Sequence, residues 1–308
     1  MHITLTICTR NRSSSLARTL ASIEHAKPVA CEWELLIVDN GSTDTTPDVL
    51  ASFEGRLPLR SVVEPKPGLS NARNAAVVSA RGQYMVCTDD DVVVFDDWLE
   101  SYVRAFRTWP TTDLFGGRII PVMEEPKTDW FERVAPHLGG MLAIRELGGN
   151  PMILPVDNEY LPFGANFAVR TDVQRLFLFP PERGPGTTHL GDETPSFMSM
   201  LEAGHEGRWL PDSRVHHMIS PSRQNQAYIR WWYESLGRTV VWEGREQLAG
   251  PNLFSAPRWL WRRALTREVK YRIARVTAPP EVWVKHLMEV SLDWGRLRHF
   301  RSAGNRRH

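Results

Sequence analysis

The chain has 308 residues, 42% hydrophobic and 24% charged, a globular composition long enough for one large domain or a domain with an appendage. Cys8, Cys31 and Cys87 lack ligand-like spacing and cannot all pair, which excludes a disulfide framework or zinc site and suits a reducing cytosol. The start of the chain has no basic segment with a long apolar run, and no stretch of 18 apolar residues occurs, so neither a simple export signal nor a membrane span is expected. In chain order, short apolar runs alternate with helical patterns, the signature of a parallel sheet covered by helices. "ITLTICT" predicts a first strand, followed by a polar loop from Asn11 to Ser15 and the amphipathic helix "LARTLASI". "WELLIVDNG" predicts a second strand, after which Thr46 as N-cap and Pro47 in the first turn open the helix "PDVLASFEG". "LRSVVEP" follows as a strand, "LSNARNAAVVSA" as a helix, and "GQYMVCTDDD" as a strand ending in three aspartates.

Asp89, Asp90 and Asp91 allow two readings: a solvated loop that caps the next helix, or a shared divalent cation that neutralises them. Open sheets of this kind bind ligands at the carboxyl ends of their strands. Asp39 and Asp89 both stand at such ends and are expected to face one crevice, which favours the cation. Mg²⁺ or Mn²⁺ is commonly held by one or two carboxylates with substrate phosphates completing the shell, so the implied ligand is a phosphate ester. It need not be a nucleoside triphosphate, because neither GxxxxGK[ST] nor a GxGxxG after the first strand occurs.

Residues 251–308 carry 13 Lys/Arg against 4 Asp/Glu, a balance of +9 that leaves −8 for residues 1–250 and is hidden in the net +1. This tail holds Trp259, Trp261, Trp283 and Trp294 and reads as two helical segments broken at Pro279-Pro280. Basic, Trp-rich amphipathic helices suit an anionic membrane surface; helices packed on the main domain with arginines outward explain the same residues. No nucleic-acid-binding module is evident.

The order of motifs resembles a family 2 glycosyltransferase with the GT-A fold. The resemblance is carried by "ICTRNRSSSLARTLASI", "LLIVDNGSTDTTPDVL", "KPGLSNARNAAVVSARGQYMVCTDDDV", "FGANFAVRTD" and "LGDETPSFMSMLEAGH", which follow one another over about 240 residues. It implies an α/β, nucleotide-sugar-binding fold with a mostly parallel central sheet over residues 1–250, and a basic, Trp-rich helical extension over 251–308. Thr9, Asn11, Asp39 and Arg73 fall on the nucleotide side, Asp39 accepting from a pyrimidine imino hydrogen. Asp89 and Asp91 form the DXD pair, Asp89 towards the ribose and Asp91 towards metal and diphosphate, with Asp90 beside them. Taken alone, Asp39 could be a turn-forming residue and Arg73 a helix surface charge.

The chemistry so implied is a single inverting displacement on a nucleotide-diphosphate sugar, a UDP-sugar by the family pattern, to a hydroxyl of a glycan or lipid-linked acceptor. A hexosyltransferase of this kind needs a cation against the departing diphosphate and a carboxylate to take the acceptor proton. Asp192 and Glu193 are the candidate bases; Glu193 occupies the usual position of the base and Asp192 that of a helix cap. In "LPDSRVHHMISPSR", His217 rather than His216 matches the histidine that reaches metal or diphosphate. The aromatics Trp130, Phe131 and Tyr160 suit either an acceptor-facing insertion or core packing. The expected location is cytoplasmic, with peripheral attachment at the inner face of the cell membrane as the reading of the tail. A non-catalytic sugar-nucleotide or glycan-binding relative is the alternative, against which the retained acidic pair 192–193 argues.

Overall fold

The computed structural model describes residues 1–184, 189–244, 246 and 249–304. Its elements run β1 (His2–Thr9), α1 (Ser13–His25), β2 (Glu32–Asp39), α2 (Thr46–Ser52), β3 (Leu59–Val63), α3 (Leu69–Ser79), β4 (Tyr84–Asp89), β5 (Val92–Val94), α4 (Trp98–Thr108), β6 (Leu114–Met123) and α5 (Asp129–Val134). They continue as β7 (Met152–Ile153), β8 (Asn166–Arg170), α6 (Thr171–Leu176), α7 (Glu193–Glu202), β9 (Gly207–Ile219), α8 (Gln226–Trp242), β10 (Asn252–Leu253), β11 (Ala256–Pro257), α9 (Arg258–Thr277) and α10 (Pro280–Gly304). The chain divides into two units. The first gathers Met1–Val122, residues 143–184 and Gly191–Met218; the second gathers Met123–Leu142, residues 189–190 and 219–304.

The first unit is a mixed α/β layer structure around one sheet. Among the described residues nine strands join it, in the order β3-β2-β1-β4-β8-β6-β9-β5, with β7 on β9. The expected parallel part is β3-β2-β1-β4. β1, β2 and β4 carry buried runs because both their faces are covered, as parallel strands require, while β3 at the edge stays partly exposed. Leu16, Leu20, Trp98, Tyr102 and Phe106 from α1 and α4 cover one face, and Ala72, Ala76, Phe197 and Met200 from α3 and α7 cover the other. Residues after 113 extend the sheet antiparallel, β8 against β4 and β6, and β9 against β5. At α2 the N-cap is Thr45, one residue earlier than expected. Thr46 is already helical, and its N–H and hydroxyl both turn back to the Asp44 carboxylate.

Asn166 pins the join between the parallel and antiparallel parts. Its Oδ1 accepts from Trp98 Nε1 and Tyr102 Oη, each at 2.8 Å, and its Nδ2 donates to the carbonyls of Arg118 and Ser213. Three of the four bonds, those to Trp98, Tyr102 and Ser213, are buried, so each of these partners left alone would carry a desolvation cost.

The second unit is helical. Gly237 and Gly295 let α8 and α10 approach so closely that a Cβ on either would meet the backbone of the other helix. The expected break falls as read, α9 ending at Thr277 and α10 opening at Pro280. Trp283 is buried, and Trp261 and Trp294 pack with Leu260, Ala264 and Leu297. Asp293, fully buried, receives Arg263, Arg267 and Arg296. Much of the tail's aromatic and basic character is thus turned inward. Phe131 is fully buried, and Trp130 lies against Trp283, so these two aromatics serve packing. Residues 305–308 of the extension lie outside the described residues.

Replacing Asn166 by Ala is expected to cost roughly 2 to 4 kcal/mol, from the buried donors it leaves unmet. Urea unfolding checks this; a midpoint within error of wild type would show that Asn166 does not hold the two parts of the sheet together.

Candidate active site

Three strand ends place the acidic residues. In the parallel register Thr9 stands beside Asp39, and Cys8 beside Asp89, so the carboxyl ends of β2, β1 and β4 form one edge. After β4 the chain turns through Asp90 and Asp91 into β5, whose antiparallel partner β9 sets His217 opposite Val92. The Met218 N–H donates to the Asp91 carbonyl at 2.8 Å, which fixes that register. Alternation along β9 then decides between the two histidines. His217 is buried with Nε2 3.4 Å from Asp91 Oδ1, while His216 points to the other face, against Phe95.

Each aspartate of the triplet has a different environment. Asp90 accepts from the Thr9 hydroxyl at 2.7 Å and from Arg12 Nη1 at 2.5 Å. Asp91 takes the other arm of the same guanidinium, Arg12 Nη2, at 3.0 Å. Asp89 keeps about a third of its side chain exposed and lies 3.4 Å from Arg73 Nη2. Burial pushes the Asp90 carboxyl up to about 6 in spite of Arg12, and burial raises Asp89 as well, against the pull of Arg73.

Arg73 is not a surface charge. Its guanidinium is buried on the inner side of α3, 2.5 Å from Asp192 and 3.6 Å from Glu193. Gly164 makes the room, since a Cβ there would collide with the guanidinium. Asp192 occupies the N-cap position of α7 but forms no side-chain cap bond; its carboxylate goes to Arg73 instead. Glu193 accepts from the Gly164 N–H at 3.3 Å. Burial, reinforced by the charge of Asp192 and opposed by Arg73, pushes the Glu193 carboxyl up to about 7.

Asp39 and Asn11 organise the neighbouring turn. The Asp39 carboxylate accepts from the Ser42 N–H at 2.9 Å, the turn-forming role open to it from sequence. Asn11, at φ 52°, adopts the left-handed conformation that Asn tolerates, and its Oδ1 accepts from the Thr43 N–H at 2.6 Å. Thr9, Asn11 and Asp39 therefore line the end of β1 and β2, while Arg73, Asp89, Asp192 and Glu193 form one charge cluster, and Asp90, Asp91 and His217 another joined by Arg12.

An edge of strand-terminal carboxylates on a half-parallel sheet also occurs in known folds. The family described as "Glycosyl transferase family 2" matches residues 4–166, more than half of the chain. The succinoglycan biosynthesis protein ExoM of Rhizobium meliloti is 30% identical over 254 residues, covering 80% of this chain and 75% of that protein. The chain belongs to glycosyl transferase family 2. Validoxylamine A glucosyltransferase of Streptomyces hygroscopicus is 30% identical over 105 residues, 33% of this chain, and the match spans 25% of that protein's length. Among solved structures, the mannosyltransferase PcManGT from Pyrobaculum calidifontis, in complex with GDP-Man and Mn²⁺, superposes with a TM-score of 0.61 at 19% identity, covering 96% of this chain and 86% of that one. S. aureus TarS 1–349 in complex with UDP gives 0.57 at 14% identity, covering 100% and 92%. These neighbours are GT-A glycosyltransferases, and the fold of this family 2 chain is theirs.

Within this glycosyltransferase the residues that sequence reading missed are the counter-ions and the space around them. Arg12 sits in the polar loop after β1, 78 residues from Asp90, and no spacing announces the contact. Gly164 was visible only as part of the Gly-x-Asn segment. Arg145 is buried with its guanidinium 3.9 Å above the Phe163 ring, and burial lowers it to about 10. Cys8 and Cys87 lie on the same strands, but burial pushes both thiols up, Cys87 to about 12, so neither supplies a nucleophile.

Asp91 and His217 present a carboxylate oxygen and an imidazole nitrogen 3.4 Å apart, and the guanidinium of Arg12 already places positive charge against Asp91. Among the described residues no three His, Cys, Asp or Glu side chains gather as a metal cluster. Two protein ligands fit a Mn²⁺ or Mg²⁺ that takes the rest of its shell from substrate phosphate and water.

The raised carboxyls have a signed consequence for stability. An unfolded Asp titrates near 3.8 and folded Asp90 near 6, so between these values the folded chain holds a proton that the unfolded chain has lost. Stability therefore falls as pH rises through that window, and Glu193 extends the effect towards pH 7. The melting temperature of the metal-free protein is expected to fall less steeply between about pH 4 and 6 in Asp90→Asn than in wild type, roughly in proportion to the one proton removed. Identical slopes in the two proteins would show that Asp90 titrates as an ordinary carboxylate.

Proposed function

We propose that the chain transfers a sugar from a nucleotide-diphosphate donor, a UDP-sugar, to a hydroxyl of a glycan or lipid-linked acceptor, with inversion and with help from a divalent cation. The observation that carries this reading is the division of labour at Arg73: Asp192 bound at 2.5 Å, and Glu193 beside it held near neutrality. A carboxylate locked to a guanidinium is a poor proton acceptor, whereas one that titrates near the working pH is a good one. Glu193 is the proposed base and Asp192 the group that orients Arg73. The nucleotide-sugar donor is supported by neighbours whose structures hold GDP-Man, UDP and UDP-GlcNAc. A role in polysaccharide assembly is supported by the likeness to the succinoglycan biosynthesis protein. The alternative of a non-catalytic binder leaves the raised Glu193 without use.

In the proposed reaction Glu193 takes the proton of the acceptor hydroxyl as its oxygen bonds to the anomeric carbon. The bond from that carbon to the diphosphate breaks on the opposite side, and its electron pair leaves with the nucleotide. Asp91 and His217 would hold the cation, whose chemistry is to neutralise charge on the departing diphosphate. Thr9, Asn11 and Asp39 are proposed to line the nucleotide base and ribose, and Asp89 to face the ribose from β4. Asp90 orders the loop through Thr9 and Arg12. Residues 1–250 are the proposed catalytic domain, and 251–308 an extension through which the protein reaches the inner face of a membrane from the cytoplasm. No helix among the described residues is long and apolar enough to cross one.

Glu193→Gln is expected to lower turnover by roughly 10² to 10⁴ fold while sparing donor affinity. In wild type the rate should rise with pH through about 7, where Glu193 loses its proton. Steady-state kinetics with donor binding by calorimetry checks both; near-normal turnover in the Gln variant would remove Glu193 as the base. Asp91→Asn should weaken UDP affinity in the presence of Mn²⁺ and leave the metal-free affinity little changed. Equal UDP affinity for wild type and variant, with and without Mn²⁺, would exclude Asp91 as a metal ligand.

A further inference from the structure

The second unit carries an apolar surface that its own packing does not use. On α9 the inner side is filled: Leu260, Ala264, Tyr271 and Ala274 are buried, and Arg263 and Arg267 turn to Asp293 of α10. The outer side repeats apolar residues at helical spacing, with Leu265 55%, Val269 56%, Ile273 57% and Val276 82% exposed. At 100° per residue these four fall within a single stripe, and Arg258 and Arg262 project from the same stripe while Arg272 and Lys270 flank it. A helix that is apolar on two sides has a partner for only one of them among the described residues.

Two further features point to the chemistry of what covers the outer side. The first is charge. α9 carries seven Arg and Lys against one acidic residue, Glu268, and that glutamate is turned to Arg230, Arg272 and Trp294. The stripe therefore presents cations with no acid among them. The second is the hairpin β10–β11, which packs at the start of α9. Its two-residue turn, Phe254 and Ser255, has φ of 48° and 68° at residues with side chains, and it holds Phe254 out with 74% of its surface exposed and Leu253 with 43%. The Phe254 ring meets Trp261, one turn before Leu265 on the same flank of the helix, so the hairpin tip continues the stripe.

We infer that this face, from Phe254 along α9 to Val276, is a docking surface for an anionic lipid bilayer. The aliphatic stripe and Phe254 enter the boundary between headgroups and acyl chains, and Arg258, Arg262 and Lys270 meet the lipid phosphates. A protein partner or a second copy would need an acidic complement to the same cations, and the lipid surface supplies it without further specificity. The inference rests on the membrane-peripheral part of the function proposed above and is independent of the transfer chemistry. It also relocates the membrane contact within the tail: of the tryptophans that suggested it from sequence, Trp283 is buried and Trp261 and Trp294 pack partly inside, and aliphatic residues of α9 form the exposed face.

Flotation of the full chain with vesicles tests it. The protein should float with vesicles containing phosphatidylglycerol at low salt, remain below with phosphatidylcholine alone, and be released by added salt. Arg258→Glu and Arg262→Glu should each weaken binding by roughly fivefold or more, and Val269→Asp should abolish it. All three positions are exposed, so circular dichroism and UDP affinity should be unchanged, which separates loss of docking from loss of the donor site. The inference is overturned if wild type fails to float at low salt, if the variants bind as wild type does, or if Val269→Asp instead splits a dimer of the chain that never binds vesicles.

Discussion

A buried guanidinium needs partners for its charge and its donors, and Arg73 finds them in carboxylates. Its desolvation is offset by Asp192, Asp89 and Glu193, which come from the start of α7 and the end of β4. Removing one partner of such a pair typically costs about 3 to 5 kcal/mol, because the other charge is left buried. Gly164, before β8, supplies the volume the guanidinium occupies. Three separate chain segments are thereby fixed to one another within the edge where the strands end. The same constraint raises the proton affinity of Glu193, which is left in a dry setting beside the charge of Asp192 while Asp192 takes the nearer arm of the guanidinium.

Arg12 does for the aspartate triplet what Arg73 does for the acidic pair. Three consecutive carboxylates at a buried strand end repel one another, and the chain separates them by direction: Asp89 towards Arg73, Asp90 towards Thr9, and Asp91 towards His217, with Arg12 forked across the last two. A site built in this way holds cationic charge between carboxylates that cannot all be neutral or all be exposed. Exchange of part of that charge with an arriving cation and diphosphate is the physical event on which the proposed function depends. The helical unit follows the same rule in a structural role, with Asp293 enclosed by three arginines.

Elements governed by local pattern were legible in the sequence. The four parallel strands, their helices and the break at Pro279-Pro280 follow from periodicity and turn residues, whereas the ranking of His217 over His216 came from the family resemblance. The antiparallel extension was not, because β6, β8 and β9 are paired across long intervening segments. The partners of the acids were illegible for the same reason: Arg73 meets Asp192 across 119 residues, and Arg12 meets Asp90 across 78. Asp192 was read as a helix cap because local rules favour it there, and a buried arginine outcompeted the backbone for its carboxylate. Arg73 was placed near the site by the resemblance alone; taken by itself it could be an exposed helical charge, because nothing local marks the face of α3 that turns inward. The tail's tryptophans drew attention to membranes, while the structure buries Trp283 and packs Trp261 and Trp294 partly inside, since aromatic content alone does not say which face is covered.

Beside the Arg73–Asp192 ion pair, Glu193 is the group proposed to exchange a proton near neutrality. Carbon-13 NMR titration of the side-chain carboxyls, with the Glu193 resonance assigned by its loss in Glu193→Gln, measures this directly. The account predicts a Glu193 midpoint near 7 in the free protein, well above that of an ordinary glutamate. A Glu193 midpoint at the ordinary value near 4.5 would contradict it.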